Sequence, residues 1–372
     1  MKRVGITGQH GFLGQHLFNT LKLSIEDFEL IDFKKEYFGD ESSLDSFVAK
    51  CNVIIHLASK NRHEDPNTLY QTNISLTSKL IESLKRVDSK AHVLFSSSTQ
   101  EENGSLYGRS KSDSRLNLAN WADESGGSFT GLIIPNVYGP FGNPFYNSVT
   151  ATFCHQLIND MPCKIEVDSQ VKLIYVGDLV SKIIDIINGG ISNNYLEVKH
   201  PDELKVSDLL ATLQRYKKIY FQQGIIPDLT SIFDLNLFNT FRSYIDIGAY
   251  FPRKYLKHID ERGVFSELIK LNSGGQVSYS QTLPEKIRGN HFHTRKIERF
   301  SIIKGEALIQ LRKIGTKETI DLYLSGDDPA YVDMPIWYTH NVKNIGTGTL
   351  LIIFWINEIY NPKDPDTFFE IA

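Results

Sequence analysis

Three glycines recur every third residue in Thr7-Gly8-Gln9-His10-Gly11-Phe12-Leu13-Gly14, directly behind the apolar stretch Arg3 to Thr7. Few local patterns restrict a fold as much. A strand that turns tightly into a helix needs glycine for the turn, for close approach of backbone amides to an anion, and for helix–strand packing. These roles fall to Gly8, Gly11 and Gly14, and Phe12 and Leu13 complete the turn. Asp32, at the end of the next apolar stretch, is placed to bind an adenosine ribose. The chain opens with a unit suited to a dinucleotide.

The rest of the first half supports that reading. Arg3 to Thr7, Phe28 to Asp32, Val53 to Ala58, His92 to Ser96 and Gly131 to Ile134 read as strands, and Gly14 to Leu23 and Ile74 to Arg86 as helices. Such alternation predicts an α/β Rossmann-type domain, a parallel sheet covered on both faces. Beyond about Tyr250, short alternating runs such as Glu306 to Leu311 and Thr349 to Ile356 sit between glycine-rich turns, which predicts an all-β sandwich or barrel. Asp234 to Tyr250 shows no clear period and is read as the boundary, giving a first domain over residues 1–243 and a second over residues 250–372. Two domains are also the expectation for 372 residues, more than one core usually holds.

A net charge of −4 argues against a nucleic-acid partner, so an anionic substrate would rely on local arginines and helix N-termini. Cys51, Cys154 and Cys163 form no CxxC pair, which fits a reducing compartment. Met1-Lys2-Arg3 is followed by Val-Gly-Ile-Thr-Gly rather than an apolar stretch, and Leu350 to Ile356 is too short to cross a bilayer. The expectation is a cytoplasmic protein with no membrane insertion.

Ser96-Ser97-Ser98 closes a strand, and Tyr107 precedes Lys111 by four residues, one helical turn on the same face. A tyrosine with a pKa near 10 is a poor acid–base group at neutrality. A lysine cation and a bound nicotinamide favour the phenolate, and Ser98 would hydrogen-bond a carbonyl oxygen. Ser98, Tyr107 and Lys111 are therefore the candidate catalytic set. These motifs resemble the extended short-chain dehydrogenase/reductase family, which handles nucleotide sugars, over roughly Met1 to Ile187. His56-Leu57-Ala58, Asn73, Pro135 to Pro140 and Tyr175-Val176-Gly177-Asp178 extend the likeness. It implies that Leu57, Ala58 and Lys111 join the cofactor site. Ile133 and Asn52 depart from the arginine and aspartate common there, and Thr99-Gln100 replaces the acidic pair of dehydratase members.

In the second half, His291-Phe-His293, Glu298 and Gly305 have the spacing of the first cupin motif, and Pro335 to Asn344, with His340, resembles the second, Trp337 replacing a glycine. Residues two apart on a strand face one side, so His291 and His293 enter the barrel together. Glu298 and His340 complete a four-ligand set for a divalent metal, zinc first among zinc, iron, manganese and nickel. Asp260 to Phe265 and Arg288 to His291 also resemble keto-sugar 3,5-epimerases, in which the histidine is a base and no metal is needed. That likeness makes Arg262 and Arg288 candidate pyrophosphate contacts.

Both halves in this order resemble bifunctional capsular-polysaccharide enzymes, an extended short-chain dehydrogenase fused to a C-terminal cupin. Tyr146 to Val149, Gly275 to Ser278, Tyr338 to Asn341 and the tail Asn361 to Phe368 carry that likeness. It implies C3 epimerisation of a UDP-2-acetamido-2,6-dideoxy-4-ketohexose by the cupin, then C4 reduction with NADPH to a UDP-2-acetamido-2,6-dideoxy-L-talose. That sequence would serve UDP-N-acetyl-L-fucosamine synthesis for a capsule or O-antigen. NADH stays open, because Asp32 would repel a 2′-phosphate unless Lys34 or Lys35 offsets it. A homodimer is expected. Two rivals remain: a reductase whose cupin is a metal-stapled dimerisation module, and an NAD-dependent sugar-nucleotide 4-epimerase.

Overall fold

The computed structural model describes all 372 residues. The chain forms two compact units, Met1–Thr152 with Val167–Val206, and Phe153–Glu166 with Ser207–Ala372.

In the first unit, β1 (Lys2–Thr7), β2 (Phe28–Ile31), β3 (Val53–His56), β4 (His92–Ser98), β5 (Ser128–Ile134) and a sixth strand, Asn193–Glu197, make a parallel sheet in the order β2–β1–β3–β4–β5–sixth. Successive side chains on a strand point to opposite faces. Ile55, Leu94 and Leu132 accordingly join one core with α1 (Phe12–Leu21) and the helix Val176–Gly189. Ile54, Val93 and Phe129 join the other with α2 (Glu41–Lys50), α3 (Pro66–Arg86) and α4 (Leu106–Ser125). This is the Rossmann-type α/β architecture expected. α3 starts at Pro66 rather than at Ile74, because Asp65 caps it by accepting from the amides of Asn67 and Thr68.

The second unit holds two five-stranded antiparallel sheets, the all-β architecture expected of a cupin jelly roll. One runs Arg253–Lys254, Ala330–Met334, Glu298–Lys304, Leu350–Ile356, Gln276–Thr282. The other runs Thr319–Ser325, Glu306–Lys313, Tyr338–Asn344, Ile287–Phe292, Phe368–Phe369. Ile302, Val332 and Ile352 of the first sheet and Ile309, Leu311 and Val342 of the second share one core.

The segment Asp234 to Tyr250, read as the boundary for want of a clear period, lies largely in helices. Ile232–Arg242 is a helix, started by Ser231, whose hydroxyl accepts from the Asp234 amide. Every residue from Asn236 to Arg242 is buried, so no polar stripe exists to give a period. Arg299 and Asp333, both buried, pair at 2.7 Å. Tyr220 donates to that aspartate at 2.9 Å, and Arg242 donates to the Met334 carbonyl at 3.0 Å. The unit that contains the two sheets thus reaches well before residue 250 and includes Phe153–Glu166.

Candidate functional site

The glycine turn lines a cleft of about 440 Å³ in the first unit. Gly8 has φ +77°, and a Cβ there would lie 2.9 Å from the Ala58 amide. A Cβ on Gly14 would lie 2.3 Å from the Gly8 carbonyl, so any side chain would push α1 off β1. Gly8, Gly11, Phe12, Leu13 and Gly14 line one side of the cleft, with Leu57 and Ala58 beside them. α1 begins at Phe12, so the residues of its first turn, whose amides have no partner within the helix, border this space. Asp32 lies outside this lining. It is exposed, accepts from Gln9 at 3.1 Å, and borders a separate depression with Ser42, Ser43, Ser46 and Lys50. Lys34 and Lys35 are exposed in the turn that follows.

Ser98, Tyr107 and Lys111 converge on the same cleft. Ser98 ends β4, where its hydroxyl accepts from the Gln100 amide at 3.2 Å. Tyr107 stands in the first turn of α4, capped by Ser105, which accepts from the Gly108 amide at 3.0 Å. Burial pushes the Tyr107 phenol up to about 12, against a hydrogen bond with Ser98 that lowers it. Burial brings the Lys111 ammonium down to about 7, opposed by the charge of Glu101.

Two residues that the sequence did not single out connect these groups. Lys111 donates to the Ser59 hydroxyl at 2.9 Å and to the Ser96 carbonyl at 2.9 Å. Ser59 donates to the Asn61 side-chain oxygen at 3.2 Å, which also accepts from Tyr107 at 3.4 Å. Both lie in the loop after β3, where no periodicity marks a side chain's direction. Gln100 faces the cleft, whereas Glu101 is absent from its lining. Instead Glu101 accepts from Ser97 and pairs with Arg115 at 2.8 Å, both partners nearly buried. The carboxylate nearest Ser98 in sequence is therefore neutralised and held outside the cleft.

In the second unit, His291, His293, Glu298 and His340 come together, their ligand-type atoms all within 4.8 Å of one another. His291 and His340 face each other as register partners on neighbouring strands. Glu298 opens the strand Glu298–Lys304, with its Oε2 3.2 Å from Nε2 of both His293 and His340. These three atoms are buried and none has a hydrogen-bond partner. Buried polar atoms are rarely left so, and three of them facing one point suit a cation. Three imidazoles and a carboxylate are also the donor set of a first-row divalent metal. Burial opposes charge on Glu298, but the two imidazoles hold its carboxyl far below the usual range. His291 is pushed down to about 4 by burial and by the neighbouring His340 and His293.

Trp337, in the place of the motif's glycine, has φ +60°. A bulky residue in that conformation costs roughly 1–2 kcal/mol. Trp337 is buried, its ring 5.7 Å from Phe292 in a stacked arrangement, and its amide donates to the His293 carbonyl at 2.8 Å. The arginines are tied locally: Arg262 to Asp260 at 2.6 Å, Arg288 to the Thr282 hydroxyl at 3.1 Å. Tyr338 packs against the apolar core.

Comparison with known proteins agrees with both halves. Residues 4–194 match the NAD dependent epimerase/dehydratase family, and residues 258–368 match the polysaccharide biosynthesis C-terminal domain. The UDP-2-acetamido-2,6-beta-L-arabino-hexul-4-ose reductase of Pseudomonas aeruginosa PA103 is 30% identical over 371 residues, covering 98% of each chain. The crystal structure of the capsular polysaccharide assembling protein CapF from Staphylococcus aureus matches over 100% of each chain, with 31% identity and a TM-score of 0.64. The structure of RMD from Pseudomonas aeruginosa, complexed with NADPH, is 20% identical over 59% of this chain and 83% of that one, with a TM-score of 0.53. That last likeness speaks only for the fold of the first unit. With its glycine turn, its Ser98–Tyr107–Lys111 cleft and a match along its whole length, this chain belongs to the NAD dependent epimerase/dehydratase family, in the branch that carries a polysaccharide biosynthesis C-terminal domain.

Proposed function

We propose that the chain is a bifunctional UDP-sugar enzyme of capsule or O-antigen synthesis: its cupin inverts C3 of a UDP-2-acetamido-2,6-dideoxy-4-ketohexose and its first domain reduces the C4 ketone. The observation that carries the reading is the convergence of Ser98, Tyr107 and Lys111 on one cleft with the glycine turn. The full-length likeness to a UDP-hexulose reductase supports the substrate class. A bound NAD(P)H, with NADPH favoured, supplies the hydride. Tyr107 gives its hydroxyl proton to the ketone oxygen while Ser98 hydrogen-bonds the same oxygen, so hydride at C4 and proton at O4 make the alcohol. The high phenol pKa keeps that proton available, and Lys111 offsets the phenolate charge. Glu101, bound by Arg115, offers no second acid for expelling a leaving group, which favours reduction over dehydration.

His291, His293, Glu298 and His340 would hold the divalent metal, zinc first. When bound, such an ion polarises an oxygen set against it. The C4 ketone acidifies the C3 proton, and His291, the least buried of the four, is the candidate base if it is not fully committed to the metal. Arg288 and Tyr338 are candidates for enolate contact and reprotonation. The product is a UDP-2-acetamido-2,6-dideoxy-L-talose, made by a cytoplasmic homodimer.

The test is full-length protein with the UDP-4-keto sugar in D₂O, with and without each reduced nicotinamide, followed by NMR. C3 deuteration without nicotinamide and C4 reduction with it are expected. Tyr107→Phe should slow reduction by about 10² or more and still exchange C3. Reduction without any C3 exchange would leave the β domain structural, and turnover that consumes no free NAD(P)H would make the chain a 4-epimerase.

A further inference from the structure

The chain's tail reaches back onto the candidate metal centre. Asp366 is 4% exposed and has φ +40°, in the left-handed region that non-glycine residues seldom occupy. Its backbone carbonyl accepts from His293 Nδ1 at 2.5 Å. Its carboxylate gathers the segment just beyond that histidine. Oδ1 accepts from the Thr294 amide at 3.0 Å and the Thr294 hydroxyl at 2.6 Å. Oδ2 accepts from the Arg295 and Lys296 amides, each at 3.0 Å. Phe368, two residues on, pairs with Phe292 and stacks on it, 5.3 Å between ring centres.

A carbonyl oxygen can only accept, so this contact puts the His293 proton on Nδ1. Nε2 is then left with a lone pair, and it is the atom that faces Glu298 at 3.2 Å with no hydrogen-bond partner. A ligating imidazole whose other nitrogen donates to a fixed acceptor is held in tautomer and in orientation. The carbonyl is itself fixed, because the same residue's side chain is tied by four donors on three successive residues. We propose that Asp366 is a positioning residue of the metal centre: the tail sets the tautomer and aim of His293, so that the site is complete only when the tail is docked. This rests on the metal reading of His291, His293, Glu298 and His340.

The experiment uses the full chain, with zinc affinity measured by competition against a chromophoric chelator and ligand geometry by the absorption of the cobalt-substituted protein. Asp366→Ala should weaken zinc binding about 10- to 100-fold and shift the cobalt bands. Asp366→Asn, which keeps one acceptor oxygen and the carbonyl, should recover part of the affinity. Thr294→Val, which removes a single donor, should move both readings slightly in the same direction. Should Asp366→Ala fail to fold, these two milder variants decide, and wild-type affinity in both would overturn the proposal. A lower melting temperature of the metal-free protein, with unchanged affinity and cobalt bands, would make Asp366 a structural clamp and overturn it as well. Wild-type protein that binds no zinc would instead overturn the metal reading beneath it.

Discussion

Lys111 is the residue whose charge a cofactor would control most directly. Buried among Phe95, Tyr107, Ser59 and the Ser96 carbonyl, its ammonium is held at about 7 by lost solvation, with Glu101 as its one opposing charge. A dinucleotide brings negative phosphates and ribose hydroxyls that favour the cation, so the bound value must lie higher. Between the two values, binding takes up a proton, and affinity must fall as pH rises. NAD(P)H should therefore bind more weakly at pH 9 than at pH 7. Its calorimetric enthalpy should change with the buffer's ionisation enthalpy, and Lys111→Met should lose both effects. Affinity that does not change with pH would mean that Lys111 keeps one charge state throughout. Tyr107, Lys111 and the histidines are readable from sequence because their chemistry demands a residue type at a fixed interval on a regular element. Ser59, Asn61 and Asp366 are not. They act from loops and a tail, where no interval relates sequence position to direction, and any polar residue looks alike until the fold brings its partner.

The Ser98–Tyr107–Lys111 site depends at the element scale on how closely two segments approach. α4 carries Tyr107 and Lys111, while the end of β4 and the short helical turn Thr99–Glu102 carry Ser98 and Gln100. Gly108 is the contact: a Cβ there would lie 2.0 Å from the Gln100 carbonyl, a backbone atom that cannot swing away. Gly108→Ala must then separate Tyr107 from Ser98. A misplacement of about 1 Å can cost as much as 10² in rate. Reduction by this variant should fall at least about tenfold with no change in the metal content of the protein, as turnover and metal analysis would record. Near-normal turnover would show that α4 tolerates the shift. Five strands of the parallel sheet were legible as short apolar runs, buried on both faces in β3, whereas the sixth, Asn193–Glu197, is mostly exposed and carries no such run. The helix Ile232–Arg242 was not legible either, since burial on all sides erases the pattern by which a helix is recognised.

At the scale of the whole molecule, the two compact units do not follow one another along the chain. A fragment of residues 250–372 contains every strand of both antiparallel sheets yet lacks Tyr220, Gly224 and Arg242. Those residues hydrogen-bond the Arg299–Asp333 pair and the Met334 carbonyl in a fully buried network. A buried pair stripped of its other partners is strongly destabilising. The fragment should be insoluble or bind hydrophobic dye, with no cooperative melting transition. A sharp transition would show that the sheets stand alone. The change of texture near Tyr250 was legible because strand and helix differ in period, but a discontinuous unit leaves no such mark in composition. Its consequence lies in the order of synthesis. Phe153–Glu166 leaves the ribosome before Asn193–Glu197, the last strand of the first sheet, and before any strand of its own unit's sheets. Phe153, Cys154 and Leu157, buried in the finished protein, are thus made well ahead of the strands of the unit they belong to. The second unit is therefore complete only when strands made last meet a partly helical segment translated long before them.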